Sequence, residues 1–152
     1  MKKSIDATVR AAEALEVKQS CLLTRTRLIA RIVTNLYDEA LRPFGINSPQ
    51  YALLGLIEEV EPATRADLAR HNSQDRSTLS RNLQIMLDEG WIEETAAGAK
   101  GRSRPLILSR RGCELLHAAM PAWRAGQLQA QALMGKEGVD ALIQVADGMA
   151  AA

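Results

Sequence analysis

Residues 64–112 read TRADLARHNSQDRSTLSRNLQIMLDEGWIEETAAGAKGRSRPLILSRRG, and across them the hydrophobic period shifts from helix to strand and back. Thr64 with Asp67 three residues on is a capping-box pattern, which predicts a short helix from Arg65 to about His71. Its apolar face is thin: Ala66, Leu68 and Ala69. Asn72-Ser73-Gln74 reads as a turn. A second helix is predicted from about Asp75 to Glu89, with Leu79, Leu83, Met86 and Leu87 as its core stripe and Gly90 as its stop. Trp91–Thr95 and Pro105–Leu108 then read as two short strands. The nine residues between them, AAGAKGRSR, are small, Gly-rich and basic, so the hairpin projects a basic tip from the body. Short helix, turn, polar-faced helix and basic hairpin, in that order, form a winged helix-turn-helix.

Each part of that pattern has a physical use. A major groove admits one α-helix. On the helix from Asp75, the candidates for bases or phosphates are Arg76, Ser77, Thr78, Ser80, Arg81 and Gln84. At the hairpin tip, Lys100, Arg102 and Arg104 would reach an adjacent minor groove or the backbone. From Lys100 to Arg111 there are five basic residues and no acid, whereas Asp38, Glu39, Glu58, Glu59 and Glu61 collect elsewhere. A net charge of +1 therefore conceals a basic edge, and phosphate contacts supply most nucleic-acid affinity. Arg110 and Arg111 stand at a helix start against the dipole, which suits a nearby phosphate. Arg65 is a further backbone candidate. The plainer reading of all these groups is a solvated surface, as it is for the adjacent Glu58-Glu59 and Glu93-Glu94. The wing beside the polar helix favours DNA.

Upstream, Leu22, Ile29, Ile32, Val33, Leu36 and Ala40 recur at helical spacing, predicting one helix from about Ala14 to Arg42. At about 40 Å it is longer than a small globule can cover, so it should pack against something else. Pro43 and Gly45 end it. Ser48, followed by Pro49, reads as the cap of a helix carrying Tyr51, Leu53, Leu54, Ile57 and Val60. Downstream, Ser109 caps a helix with Cys113, Leu115, Leu116, Ala119, Met120 and Trp123, and Pro121 should kink it or break one hydrogen bond. Gly135 punctuates before a last helix with Val139, Leu142, Ile143 and Val145. The fold expected is mainly α with a small β-hairpin wing. Residues 46–109 are the winged helix-turn-helix lobe, and 1–45 and 110–152 the helical dimerisation regions.

Composition excludes several classes. With 152 residues and 47% hydrophobic content, the chain suits one compact domain with or without an extension. No apolar run approaches the roughly 18 residues of a spanning helix, and the first twenty residues lack a signal peptide's apolar stretch, so a cytoplasmic protein is expected. Two cysteines are no disulfide framework, and with His71 and His117 they lack zinc-finger spacing. No Gly-rich phosphate loop, catalytic triad or paired carboxylates appear. The expectation is a non-enzyme with no cofactor and no metal.

Three segments carry a family resemblance: LYDEALRPFGINSPQYALLGLIEE (36–59), DLARHNSQDRSTLSRNLQIMLDEGWIE (67–93) and GRSRPLILSRRG (101–112). Together they resemble the MarR family of bacterial transcriptional regulators, over about residues 20–148. The resemblance implies a homodimer built from the first and last helices. It also implies binding to pseudo-palindromic double-stranded DNA, repression by blocking promoters, and release by a small ligand or an oxidant. Arg81 matches the family's recognition-helix arginine and Arg102 its wing-tip arginine. Lys100 departs from the pattern, standing where the family usually has an Asp that orients the wing arginine, so this wing should either be more mobile or bind mainly by charge.

An effector pocket would lie between dimer helices and lobe. Its candidate lining is Leu22, Tyr37, Phe44, Tyr51, Met120 and Trp123, suiting a small apolar or aromatic acid. Cys21 resembles the reactive cysteine of the family's organic-peroxide sensors, and Arg25 one turn away would lower its pKa. Its plainer role is a small buried residue, and Cys113 reads as packing. The alternatives to a ligand-released regulator are therefore a thiol-based redox regulator using Cys21 and a winged-helix protein-interaction module. An enzyme acting on small aromatics lacks a nucleophile–base pair.

Overall fold

The computed structural model describes residues 7–71, 75–97 and 104–150. Six helices and one hairpin follow in chain order: α1 Ala7–Ser20, α2 Leu22–Leu41, α3 Ser48–Val60, α4 Arg65–His71, α5 Arg76–Asp88, β1 Ile92–Glu94, β2 Leu106–Leu108 and α6 Arg110–Ala150. The chain divides into two compact units, one ending at Asn35 and one beginning at Leu36.

In the N-terminal unit the expected single helix from Ala14 is instead two. The helix starts earlier, at Ala7, and is interrupted at Cys21. Just before the interruption the Ser20 hydroxyl donates to the Glu16 carbonyl at 2.7 Å. The ladder is only nicked, since the Cys21 N–H still donates to Val17 O at 3.1 Å and the Arg25 N–H to Cys21 O at 3.4 Å.

In the second unit, α2 ends in a 3-10 turn over Arg42–Phe44, and Gly45 takes the left-handed conformation that stops it (φ 73°). The cap of α3 is Asn47, one residue earlier than expected. Asn47 Oδ1 accepts from the Gln50 N–H at 2.9 Å, and Gln50 Oε1 accepts from the Asn47 N–H at 3.1 Å, a reciprocal box. Ser48 is the first helical residue, and its N–H donates to Asp38 Oδ1, 2.7 Å away on α2. The predicted box on α4 forms: the Thr64 N–H donates to Asp67 Oδ2 at 3.0 Å and the Asp67 N–H to Thr64 Oγ1 at 3.1 Å.

The core is aliphatic. Leu53, Leu54 and Ile57 of α3, Leu68 of α4, Leu79, Leu83 and Met86 of α5, Ile92, Leu106 and Leu108 of the hairpin, and Leu116 and Ala119 of α6 are all buried. β1 and β2 are antiparallel, with Ile92 opposite Leu108, Glu93 opposite Ile107 and Glu94 opposite Leu106. Ala63 adds an isolated antiparallel bridge to β2: its N–H donates to Leu106 O at 2.9 Å and its carbonyl accepts from the Leu106 N–H at 2.8 Å. Ser109 caps α6 as expected, accepting from the Gly112 N–H at 3.0 Å. Gly135 breaks α6 where expected, its φ of 69° lying outside helical space, and of the two effects expected at Pro121 the lost hydrogen bond is the one seen. Pro121 removes one donor to the carbonyl of His117, and both residues are exposed, so water can satisfy that carbonyl.

Candidate nucleic-acid interface

The start of α5 is held by one carboxylate. Asp75 accepts from the N–H groups of Ser77 and Thr78, each at 3.0 Å, and from both their hydroxyls, each at 2.6 Å. Those hydrogen bonds hold the Asp75 carboxyl far below the usual carboxylate range. Ser77 and Thr78, read from sequence as DNA candidates, thus commit their hydroxyl protons to the cap. They can offer only lone pairs outward.

Past this first turn, Leu79, Asn82, Leu83 and Met86 face inward, and Arg76, Ser80, Arg81 and Gln84 are exposed. Gln84 Nε2 donates to Asp88 Oδ1 at 2.8 Å, which orients its amide along the helix. No ion pair joins Arg76 or Arg81 to another described residue. Arg65, Arg70, Arg76 and Ser80 line an open groove of about 500 Å³ between α4 and α5, floored by Ala66, Ala69, Leu79 and Leu83. The exposed alanines of α4, expected as core, form this floor.

Two of the three hairpin candidates, Lys100 and Arg102, lie outside the described residues, as does the turn at 72–74. Arg104 is exposed at the root of the hairpin. Arg110 Nε donates to Glu114 Oε1 at 2.8 Å, and Arg111 lies 3.8 Å from Glu89, so both have carboxylate partners. Arg65 pairs with Glu94 at 2.8 Å, and Glu58 lies 3.5 Å from His117. Neither acid is therefore merely solvated, contrary to the sequence reading. No local periodicity signals pairs so far apart in the chain.

The candidate effector residues separate into three places. Tyr37, Tyr51, Met120 and Trp123 come together: ring centroids lie 6.1 Å apart for Tyr37–Trp123 and 6.5 Å for Tyr51–Trp123. The Tyr51 hydroxyl donates to Met120 Sδ at 3.5 Å, and the Tyr37 hydroxyl bonds to Gln127. Burial pushes both tyrosine pKa values up. Gly126 lies against Tyr37, with no room for a larger side chain without adjustment. Phe44 instead lines a separate cleft with Glu89, Trp91 and Arg111. Leu22 is 77% exposed in the N-terminal unit.

Cys21 immediately precedes α2. Hydrogen bonds from the Thr24 hydroxyl and N–H are the main cause lowering its thiol pKa, with smaller help from the Leu23 N–H and Arg25. The arginine singled out from sequence is thus the lesser cause. Among the described residues no three potential metal ligands cluster, and no helix is long and apolar enough to cross a membrane.

Residues 44–103 match the MarR family profile. The HTH-type transcriptional repressor Rv2887 of Mycobacterium tuberculosis is 31% identical over 86 residues, which are 57% of this chain and 62% of that protein. The chain thus aligns with less than two thirds of that relative's length. A crystal structure of Rv2887 with salicylic acid superposes with a TM-score of 0.65, at 22% identity over 86% of this chain and 97% of that one. The M. tuberculosis transcriptional regulator MosR in complex with DNA gives a TM-score of 0.68 and 32% identity, over 86% of this chain and 98% of that one. A mutant MarR from E. coli with operator DNA gives 0.77 at 18% identity, over 89% and 97%, a likeness of fold.

Proposed function

Because the chain belongs to the MarR family of transcriptional regulators, we propose that it is a sequence-specific repressor that binds duplex DNA as a homodimer and is released by a small aromatic or apolar ligand. One observation carries the DNA reading. The carboxylate-capped α5 presents Arg76, Ser80, Arg81 and Gln84 together, beside the root of a basic hairpin. Arg81 and Gln84 suit base edges, and Arg76 suits a phosphate. In a two-fold dimer the paired recognition helices would sit about 34 Å apart, reading half-sites about 10 bp apart. The exposed apolar residues Leu128, Leu133, Leu142 and Ile143 of α6 supply a surface for the second copy. The protein would act in the cytoplasm and catalyse no reaction.

The effector reading draws on the Tyr37–Trp123–Tyr51 run and on the salicylic acid held by the Rv2887 structure. A ligand would release DNA only through unequal affinity for the bound and free arrangements of the dimer. A second reading rests on Cys21, whose thiolate is favoured at the start of α2: oxidation there would replace the ligand as the signal.

The test is selection of a preferred site from a randomised duplex library, followed by fluorescence-anisotropy titration against random duplex near physiological salt. A pseudo-palindromic site bound at least about 1,000-fold tighter than random DNA is expected. Equal binding to both would overturn the reading and favour a protein-interaction module. Challenging the complex with salicylate and then with peroxide separates ligand release from oxidant release.

A further inference from the structure

We propose that Arg65 is a positioning residue, a clamp that ties both arms of the hairpin to α4 and so sets the direction in which the basic arm leaves the body. The proposal rests on the DNA-binding reading above. Arg65 Nη2 donates to Glu94 Oε1 at 2.8 Å, and Arg65 Nη1 donates to the Arg104 carbonyl at 3.2 Å. Glu94 ends β1, and Arg104 precedes β2 by two residues. One planar guanidinium therefore holds one group from each arm, a geometry lysine cannot reproduce.

The place of this contact gives it leverage. The base of the hairpin is anchored by buried Ile92, Leu106 and Leu108 and by the Ala63–Leu106 bridge. Further out, the bond from the Thr95 N–H to Pro105 O, at 2.9 Å, joins the arms to each other and not to the body. Arg65 reaches Arg104, the first described residue after segment 98–103, which carries Lys100 and Arg102. A small rotation at this root becomes a larger displacement at the basic tip. Arg65 also lines the α4–α5 groove with Arg76, so the same side chain touches the recognition-helix side and the hairpin side.

Energetics separate positioning from stability. The Arg65 and Glu94 side chains are 42% and 38% exposed, and an exposed pair adds little to folding. Electrostatics alone makes Glu94 a liability on a face that meets phosphates, so removing it should tighten binding to any duplex. The clamp predicts the opposite for the operator.

The experiment compares Glu94→Ala with the native chain on the selected operator and on random duplex, with melting temperature as the folding control. About five-fold weaker operator binding is expected, with random-duplex binding equal or tighter, so that the specificity ratio falls. Arg65→Lys keeps the charge but lacks the fork that holds both groups, so it should lower the ratio in the same way, and a ratio kept in that variant overturns the clamp. Operator binding by Glu94→Ala that is unchanged or tighter, with the ratio kept, overturns the clamp while leaving the DNA reading intact. If selection with the native chain returns no preferred site, the DNA reading fails first and the clamp falls with it.

Discussion

The Trp91 carbonyl oxygen lies 1.9 Å from the point where a Cβ on Gly112 would stand. The first turn of α6 is pressed directly onto the backbone that leads from α5 into the hairpin. Ser109 reinforces the junction: its N–H donates to Trp91 O at 3.0 Å, and its hydroxyl donates to Gly90 O at 2.6 Å. Gly112→Ala must push two backbone segments apart. The expected loss is about 1–3 kcal/mol or more, by the cost of overpacking a site that cannot yield. Chemical denaturation of the variant checks it, and native stability would show that the junction is looser than described.

Asp75 makes the stability of α5 depend on acid. Its folded-state pKa is depressed, so its contribution is complete above the ordinary carboxylate value near 3.8 and is lost as pH falls toward the folded value. Asp67 behaves alike, its pKa lowered chiefly by the Thr64 hydroxyl. Asp75→Ala should lower the melting temperature at pH 7. It should also flatten the fall in stability below about pH 4. Thermal melts of both proteins from neutral pH down to pH 2.5 measure both effects.

Arg81→Ala should weaken operator binding by about 1–3 kcal/mol and relax preference at one position in each half-site. Arg76→Ala should weaken operator and random duplex alike, as a phosphate contact does. Anisotropy titrations on the operator and its single-base variants separate the two patterns. An unaffected operator affinity for Arg81→Ala would mean that another face of α5 meets DNA.

Arg102→Ala should reduce the slope of log K against log salt by about one unit per arm, if the residue meets a phosphate. A slope that stays fixed while an A·T preference disappears would mean that it reads groove width instead.

Cys21 provides the test of the oxidant reading. With its thiolate favoured by Thr24, Cys21 should alkylate faster near neutral pH than Cys113. Cys21→Ser should leave salicylate-induced release intact and abolish any release by peroxide. Peroxide release that persists in the variant assigns the signal elsewhere.

The elements that a short window can specify were readable from the chain. The Thr64–Asp67 box, the Leu79–Leu83–Met86 stripe, the two strands and the Ser109 cap each depend on residues three or four apart, or on alternation. Local backbone geometry imposes those spacings. The cap of α3 lies one residue before Ser48 because Asn47 caps equally well and closes a reciprocal box with Gln50, a choice between neighbours that the Ser-Pro pattern leaves open. The interruption at Cys21 leaves no mark in the hydrophobic spacing, and the ladder bonds on either side of it persist.

For the candidate site, sequence sufficed to place the polar face of α5 and the basic character of the hairpin. Side-chain identity and helical phase determine both. Tertiary structure alone decided which of those polar groups are already spoken for. Arg111 lies against Glu89, twenty-two residues back, and Arg65 bridges to Glu94, twenty-nine residues on. Phe44 and Trp123, both plausible pocket lining by sequence, pack on one core but face different neighbours, Phe44 in the cleft with Trp91 and Trp123 beside the two tyrosine rings. Periodicity tells which side of an element faces inward. Which side chain it then meets is set by how the elements cross, and the chain carries no local record of that.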